Sequence, residues 1–89
     1  MQYVVITGDS GRLIRNSAAL FHGYNISANS GDTIVEFYDG VDDSGVLVFE
    51  FHIKNGSHAD MVVESGVPFN NGIYYKLVSG SATGSVFAS

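Results

Sequence analysis

Apolar and polar side chains alternate most regularly between Val46 and Ile53. On one side of this segment every side chain is apolar: Leu47, Phe49, Phe51 and Ile53. The other side is mixed and contains Val48, Glu50 and His52. Successive side chains of a β-strand point to opposite faces, so this alternation is typical of a strand with one buried face. The segment therefore predicts a strand whose phenylalanines face the core.

The remainder of the chain is predicted to form further short strands, separated by turns rich in glycine, asparagine and aspartate. The predicted strands cover residues 2–7, 12–15, 20–29, 33–39, 46–53, 59–64, 73–79 and 85–88. In the strand 20–29 the alternation assigns one face to Leu20, His22, Tyr24, Ile26 and Ala28. No window keeps an apolar period of about 3.6 residues over several turns, so no helix is predicted.

Two connections are predicted to be hairpins. One joins the strands 33–39 and 46–53 through the polar loop from Asp39 to Gly45. The other joins the last two strands across residues 80–84, which are all small residues or threonine. Residues 66–72 are predicted to be a loop that contains the chain's single proline, Pro68, which lacks a backbone donor and so should stay out of a central strand.

The number and spacing of these segments predict the fold class. About seven or eight short strands at spacings of roughly ten residues are typical of a small antiparallel β-sandwich. With 89 residues, the chain is long enough for one domain, so we expect a single all-β sandwich domain over residues 1–89. The pattern fits a jelly-roll and an immunoglobulin-like arrangement equally well.

Charge excludes two classes of partner. The formal net charge is -5, and the only basic residues are Arg12, Arg15, Lys54 and Lys76. Binding to nucleic acid needs a basic surface that displaces counterions, and an anionic membrane would repel this chain for the same reason. We expect neither nucleic acid nor a membrane as a partner. The absence of cysteine excludes disulfides and thiolate metal sites and fits assembly in a reducing cytoplasm.

The apolar content indicates a different kind of partner. Charged residues make up 15% of the chain and apolar residues 45%. A domain of this size buries only about 60–65% of the surface that its unfolded chain exposes, so it cannot hide all of its apolar side chains. Exposed apolar patches usually mark interaction sites. We therefore expect apolar surface that contacts another protein.

The residues that could carry chemistry form no recognised catalytic motif. The loop from Asp39 to Gly45 lacks the alternate ligand spacing and final glutamate of a calcium loop, and a solvated turn is the simpler interpretation. No two of His22, His52 and His58 have the spacing of metal ligands. No serine lies in a nucleophile-elbow context. We expect no catalysis, no cofactor and no metal site.

Aromatic side chains are the remaining signal. The chain contains five tyrosines and six phenylalanines. Tyr74 and Tyr75 are adjacent on a predicted strand, so one can fill the core while the other must face solvent or a partner. Large aromatic residues near turns or on faces that could be exposed are our candidates for a protein interface: Phe21, Phe69, Tyr74 and Tyr75. Sugar stacking on aromatic rings is the competing interpretation.

Two motifs resemble small virion proteins of tailed phages, in particular capsid decoration (cement) proteins. The first is Phe37-Tyr38-Asp39-Gly40, which follows Gly11-Arg12-Leu13 and the segment from Leu20 to Ile26. The second is Pro68-Phe69, two asparagines and Gly72-Ile73-Tyr74, before a small-residue turn and a final strand. Together these segments extend over most of the chain.

This resemblance implies a structural role in the virion. Proteins of this kind bind the outer shell, often as trimers, and hold neighbouring major capsid protein subunits together. The resemblance therefore implies the major capsid protein as partner, a homotrimer or other homo-oligomer, and a location on the capsid surface after assembly in the host cytoplasm. The pattern shows no extended N-terminal arm, which some decoration proteins use. A tail, fibre or adaptor component and a carbohydrate-binding module are the alternatives.

Overall fold

The computed structural model describes residues 2–89, and within that range the chain forms eight β-strands and no helix. The strands are β1 (Gln2–Thr7), β2 (Gly11–Arg15), β3 (Ala19–Ala28), β4 (Thr33–Asp39), β5 (Val46–Ile53), β6 (His58–Phe69), β7 (Ile73–Ser79) and β8 (Ala82–Ala88). The all-β class predicted from the alternation is confirmed.

The strands are arranged in two four-stranded antiparallel sheets. Their orders are β1-β8-β3-β6 and β2-β7-β4-β5. The pairing is nested, because the first strand pairs with the eighth, the second with the seventh, the third with the sixth and the fourth with the fifth. One long hairpin that wraps into two layers gives this order, which is the jelly roll. An immunoglobulin-like sandwich would keep its first two strands in one sheet, whereas β1 and β2 lie in different sheets.

Of the two predicted hairpins, one is confirmed and one is wrong. β4 and β5 pair directly across the loop after Asp39. β7 and β8 do not pair with each other, because β7 lies between β2 and β4 and β8 lies between β1 and β3. The chain crosses from one sheet to the other at Gly80 and Ser81. The buried hydroxyl of Thr33 lies 3.2 Å from both the amide nitrogen and the carbonyl oxygen of Ser81, which fixes this crossing.

The predicted loop 66–72 is wrong over its first half. β6 continues through Gly66 to Phe69, and Pro68 lies opposite Leu20 of β3. β6 is an edge strand, so the expectation that Pro68 avoids a central strand is confirmed. An edge strand tolerates proline because one side of its backbone has no neighbouring strand to receive a hydrogen bond.

A bulge in β3 reverses which side chains face the core. The register against both neighbouring strands shifts between Phe21 and Gly23. Tyr24, Ile26 and Ala28 are buried as predicted, but before the bulge the buried residue is Phe21 and Leu20 is exposed. One extra residue in a strand moves every side chain beyond it to the other face. The predicted face is therefore correct only after the bulge.

Aromatic rings from both sheets fill the space between the layers. Phe21 of β3 lies at the centre, and its ring centroid is 5.0 Å from that of Phe37, 5.4 Å from Phe49 and 5.7 Å from Phe69. Tyr24 and Phe51 extend the cluster, with centroids 4.5 Å apart. Such ring pairs add stabilisation to the burial of apolar area. Most of the aromatic residues that stood out in the sequence therefore form the core.

Candidate functional site

The four predicted interface aromatics occupy different environments. Phe21, Phe69 and Tyr75 are 0%, 1% and 0% exposed, so they pack inside the sandwich and a partner on the folded surface cannot contact them. Tyr74 is partly exposed and lies on the outer face of its sheet. The expectation that Tyr74 and Tyr75 point to opposite faces is confirmed. Tyr74 is the predicted interface residue that has surface to offer a partner.

Tyr74 belongs to a continuous row of apolar and aromatic side chains on the outer face of the sheet β2-β7-β4-β5. The register places Leu13 beside Tyr74, Tyr74 beside Tyr38, and Tyr38 beside Leu47. A bulge adds Val48 next to Leu47. We call these five residues the Tyr74 row. Neighbouring strands are about 4.8 Å apart, so the row spans roughly 14 Å across the sheet.

The Tyr74 row is exposed at both ends. Leu13 is 42% exposed, Leu47 46% and Val48 38%, whereas the two tyrosines between them are partly covered. The tyrosine ring of Tyr74 covers Gly11 of β2, because a Cβ at Gly11 would collide with the Tyr74 hydroxyl. An aromatic ring that covers a glycine on an edge strand is held in place by that contact. This contact fixes the position of the Tyr74 ring within the row.

A charged row lies directly beside the Tyr74 row. Lys76, Glu36 and Glu50 are cross-strand neighbours on β7, β4 and β5. Tyr38 donates a hydrogen bond of 2.6 Å to Glu36, and the His52 ring nitrogen lies 2.9 Å from a Glu50 oxygen. These two bonds offset the repulsion between the adjacent glutamates.

Hydrogen bonds within this part of the surface shift three pKa values. The hydrogen bond to Glu36 raises the pKa of the Tyr38 hydroxyl, and the hydrogen bond from His52 lowers the pKa of Glu50. Lys76 binds Asp43 at 2.9 Å, and this bond raises the pKa of its ammonium group. The outer face thus combines an apolar row with a polar border, which is the anatomy of many protein interfaces.

The opposite outer face carries a second apolar group, which glycine interrupts. Tyr3, Phe87, Gly23 and Val62 form one cross-strand row on β1, β8, β3 and β6. Tyr3 is 67% exposed and Val62 65%. The next row contains Val5, Ser85, Asn25 and Asp60, so polar groups occupy three of its four strands. The Tyr74 row is the longer apolar surface of the two, because it has a large side chain on every strand.

The carboxylates of the loop from Asp39 to Gly45 already have partners within the chain. Asp39 accepts backbone hydrogen bonds from Asn70 at 3.0 Å and Asn71 at 2.8 Å. Asp42 accepts bonds from the backbone and the hydroxyl of Ser44, which lower its pKa, and Asp43 binds Lys76. Within residues 2–89, no group of three or more histidine or acidic side chains could hold a metal ion. The loop is a hydrogen-bonded turn, and Asp39 ties it to the chain before β7.

His22 has a structural role that the sequence did not reveal. Its side chain is 6% exposed, and its ring nitrogens lie 2.9 Å from the Val63 carbonyl oxygen and 2.7 Å from the Ser89 hydroxyl oxygen. The extra residues of β6, between Val62 and Val67, lie opposite this histidine. His22 thus joins β3 to β6 and to Ser89, the residue that follows β8, at the bulge. The burial of His22 and its hydrogen bonds both depend on this bulge, which the alternation of apolar and polar residues does not indicate.

An open groove of about 400 Å³ lies at another position, lined by Asp32, Thr33, Ile34, His52, Ile53, Lys54 and Ser79. It contains neither His22 nor Ser89, so the one buried histidine does not face it. No aromatic residue lines it, so it offers no ring on which a sugar could stack.

The class of protein defined by these features is a small jelly-roll domain with an exposed apolar row on one sheet. Comparisons with protein families, with curated proteins and with solved structures find no match for this chain. Across residues 2–89 there is also no helix of the length and hydropathy needed to cross a membrane.

Proposed function

We propose that this protein is a non-catalytic structural module that docks on a larger protein assembly through the Tyr74 row. The observation that carries the proposal is the uninterrupted row of large apolar and aromatic side chains across all four strands of one sheet. Tyrosine is enriched at the centres of interfaces, where its ring is buried and its hydroxyl finds a polar partner. The polar border of Glu36, Glu50 and Lys76 fits the rim of such an interface.

The assembly that we propose is the capsid of a tailed phage, with the major capsid protein as partner. The motifs from Phe37 to Gly40 and from Pro68 to Tyr74 resemble capsid decoration proteins. The jelly roll also occurs among viral capsid domains, although fold alone does not specify function. In this role the domain adds apolar contacts across the boundary between capsid subunits, and it resides on the virion surface. A homotrimer or another homo-oligomer belongs to the same proposal.

Binding to capsid shells tests this function. Purified protein is mixed with mature capsid shells of a tailed phage whose genome encodes this chain, and the mixture is sedimented. We expect stoichiometric binding and a higher melting temperature of the shells. Tyr74→Asp places a charge in the middle of the row, and we expect it to lower the affinity at least about tenfold.

The matched control is Val62→Asp, because Val62 is also an exposed apolar residue on a sheet face but lies on the other sheet. We expect this variant to bind shells as the original chain does. Circular dichroism must show that both variants remain folded. Shells that do not bind the protein, or equal binding by Tyr74→Asp and the original chain, would contradict the proposal.

A carbohydrate-binding role is the second candidate, and a specific observation favours it. Tyr38 and Tyr74 are cross-strand neighbours on a flat, partly exposed face, with carboxylates and an amine in the next row. Rings and hydrogen-bonding groups together can bind sugars. A glycan array distinguishes the two functions: selective glycan binding that is lost in Tyr38→Ala, without binding to shells, would favour the carbohydrate role.

A further inference from the structure

Four strand edges are open in this fold, and three of them carry features that discourage pairing with another chain. On β1, the Val5 carbonyl accepts a hydrogen bond from the Arg12 guanidinium at 3.3 Å. β2 has five residues and a bulge. β6 contains Pro68, and extra residues between Val62 and Val67 break its regular pairing. Covered, short, bulged and proline-containing edges are the usual means of preventing edge-to-edge association.

The edge of β5 lacks most of these features. Its eight residues include no proline, glycine, lysine or arginine. Val46, Leu47 and Val48 are all exposed at its beginning, and the half-buried rings of Phe49 and Phe51 leave the core partly open on this side. Its single irregularity is the bulge near Val48. A long apolar edge of this kind is a template for an added strand.

We propose that two copies of this chain associate through β5, which pairs with β5 of the second copy in antiparallel orientation around Phe51. The two sheets then form one continuous eight-stranded sheet with a two-fold axis at Phe51. In this register Glu50 of each copy lies opposite His52 of the other, and Phe49 lies opposite Ile53. The proposal uses the backbone edge of β5, the strand that also contributes Leu47 and Val48 to the Tyr74 row, and it does not depend on the function proposed above.

Hydrogen bonding between Glu50 and His52 favours this register over the two registers shifted by two residues. Because the outer face must continue from one copy to the other, residues with outward side chains must oppose one another. A shift by two residues in one direction places Glu50 opposite Glu50, and like charges directly opposite are destabilising. A shift in the other direction places His52 opposite His52 and shortens the paired segment. The register around Phe51 pairs the acceptor Glu50 with the donor His52 twice.

The side chains of Glu50 and His52 are accessible to a second copy. In one copy they bind each other at 2.9 Å, and their exposed fractions are 44% and 65%. In the dimer, the two contacts within the separate copies are exchanged for two contacts between them, so both side chains keep a partner. The inner residues Phe49 and Phe51 would lose their remaining exposure at the same time, which adds a favourable hydrophobic contribution.

A charge-swap series tests the pairing by sedimentation velocity over a range of concentrations. The original chain should form dimers. Glu50→Lys places a lysine opposite His52 and should weaken the dimer about tenfold or more. The same substitution removes the repulsion from Glu36 within one copy, so loss of the dimer would not reflect unfolding. The double variant Glu50→Lys with His52→Glu should restore dimerisation. Asp60→Lys on the edge strand β6 is the matched control and should leave the dimer unchanged.

Disulfide crosslinking tests the register, since the chain has no cysteine of its own. A mixture of Glu50→Cys and His52→Cys chains should form a mixed disulfide under mild oxidation. Each variant alone should not, because equivalent positions would be about 8 Å apart and thus too distant for a disulfide. A mixture of Asp60→Cys and Val62→Cys is the control and should stay monomeric. A monomer at all concentrations, no rescue by the charge swap, or crosslinking of His52→Cys with itself would overturn the proposal.

Discussion

Two adjacent tyrosines show how strongly the face of a strand decides the role of a residue. Tyr75 lies between the sheets with its ring centroid 5.9 Å from that of Phe37, and Tyr74 lies on the outer face beside Tyr38. Both have the same side chain and nearly the same sequence environment. The alternation of the strand alone separates a core residue from a surface residue.

The hydroxyl of Tyr75 is buried without a hydrogen-bond partner among residues 2–89. A buried polar group without a partner costs free energy, so its removal should stabilise the fold. We predict that Tyr75→Phe raises the free energy of unfolding by about 1 kcal/mol in urea denaturation. Tyr38→Phe is the control, because the Tyr38 hydroxyl has Glu36 as a partner, and it should not stabilise. A less stable Tyr75→Phe chain would show that this hydroxyl has a partner in solution.

The same hydroxyl predicts a dependence of stability on alkaline pH. Burial, together with the negative charge of Asp9, raises the pKa of Tyr75 from 10.0 to about 12. The folded state therefore holds this proton more tightly than the unfolded state. The contribution of this raised pKa to the free energy of unfolding is fully present below about pH 10 and is lost as the pH rises towards about 12.

Tyr75→Phe removes this titration, so its free energy of unfolding should fall less steeply between about pH 10 and 12 than that of the original chain. Urea denaturation at several pH values measures both slopes. Tyr38 and Lys76, whose pKa values are also raised, are present in both chains and cancel in the comparison. Identical slopes would contradict the assignment of this effect to Tyr75.

At the scale of the elements, bulges determine which parts of a strand face the core. In β3 the bulge exchanges Leu20 for Phe21 as the buried residue, and in β5 the bulge at Val48 turns Leu47 outward. The alternation predicts Leu47 beside Phe49 on the core face, whereas Leu47 is exposed and joins the Tyr74 row. Because of these two bulges, Leu20 and Leu47 lie on the surface instead of in the core.

Gly23 makes the bulge in β3 possible. Its φ of 128° lies in the region that favours glycine, and a Cβ here would collide with the carbonyl oxygen of Met61. We predict that Gly23→Ala lowers the free energy of unfolding by about 2 kcal/mol or more, through both strain and the collision. Urea denaturation followed by circular dichroism measures the loss.

Gly56→Ala is the matched control for this substitution. Gly56 also has a positive φ, of 78°, but nothing lies within 4 Å of a Cβ at that position. Its substitution should cost only about 1 kcal/mol, from backbone strain alone. If the two variants lose equal stability, the close approach of Met61 does not matter for the fold.

At the scale of the whole molecule, the jelly roll separates the aromatic residues into a core and a surface set. The core set joins both sheets, since Phe21 of one sheet contacts Phe37 of the other. The surface set is divided between the two outer faces, with Tyr38 and Tyr74 in the Tyr74 row and Tyr3 and Phe87 on the other sheet. The domain therefore carries aromatic rings on its surface in addition to those that fill its core.

Truncation of one aromatic residue from each set should lower the free energy of unfolding by different amounts. Phe37 is fully buried, so Phe37→Ala should lower the free energy of unfolding by about 3–5 kcal/mol. Tyr74→Ala should lower it by about 1 kcal/mol or less, because its ring already contacts water on one side. Thermal and urea denaturation give both values. A large loss for Tyr74→Ala would assign that residue to the structural core.

Much of the fold follows from the sequence, but little of the functional surface does. Alternation located all eight strands, and the pairing of β4 with β5 across a polar loop was also predictable. Of the four aromatic residues proposed for an interface, only Tyr74 has exposed surface. The four were chosen because they are large and lie near turns or on faces that could be exposed, which does not show which of them the fold buries. Phe21, for example, faces the core because of the bulge in β3. Leu13, Tyr38, Leu47 and Val48 were missed because membership of one row depends on register between strands.

The sequence by itself determined that the chain forms short strands, each with an apolar side, in a domain of two layers. That information is local, since alternate side chains within a few residues show which face avoids water. Only the tertiary structure decided which strands are neighbours, where β7 crosses to β8, and which apolar residues remain outside. Those features depend on hydrogen bonds between distant segments and on single extra residues in β3 and β5. Neither produces a repeating pattern of apolar residues in the sequence.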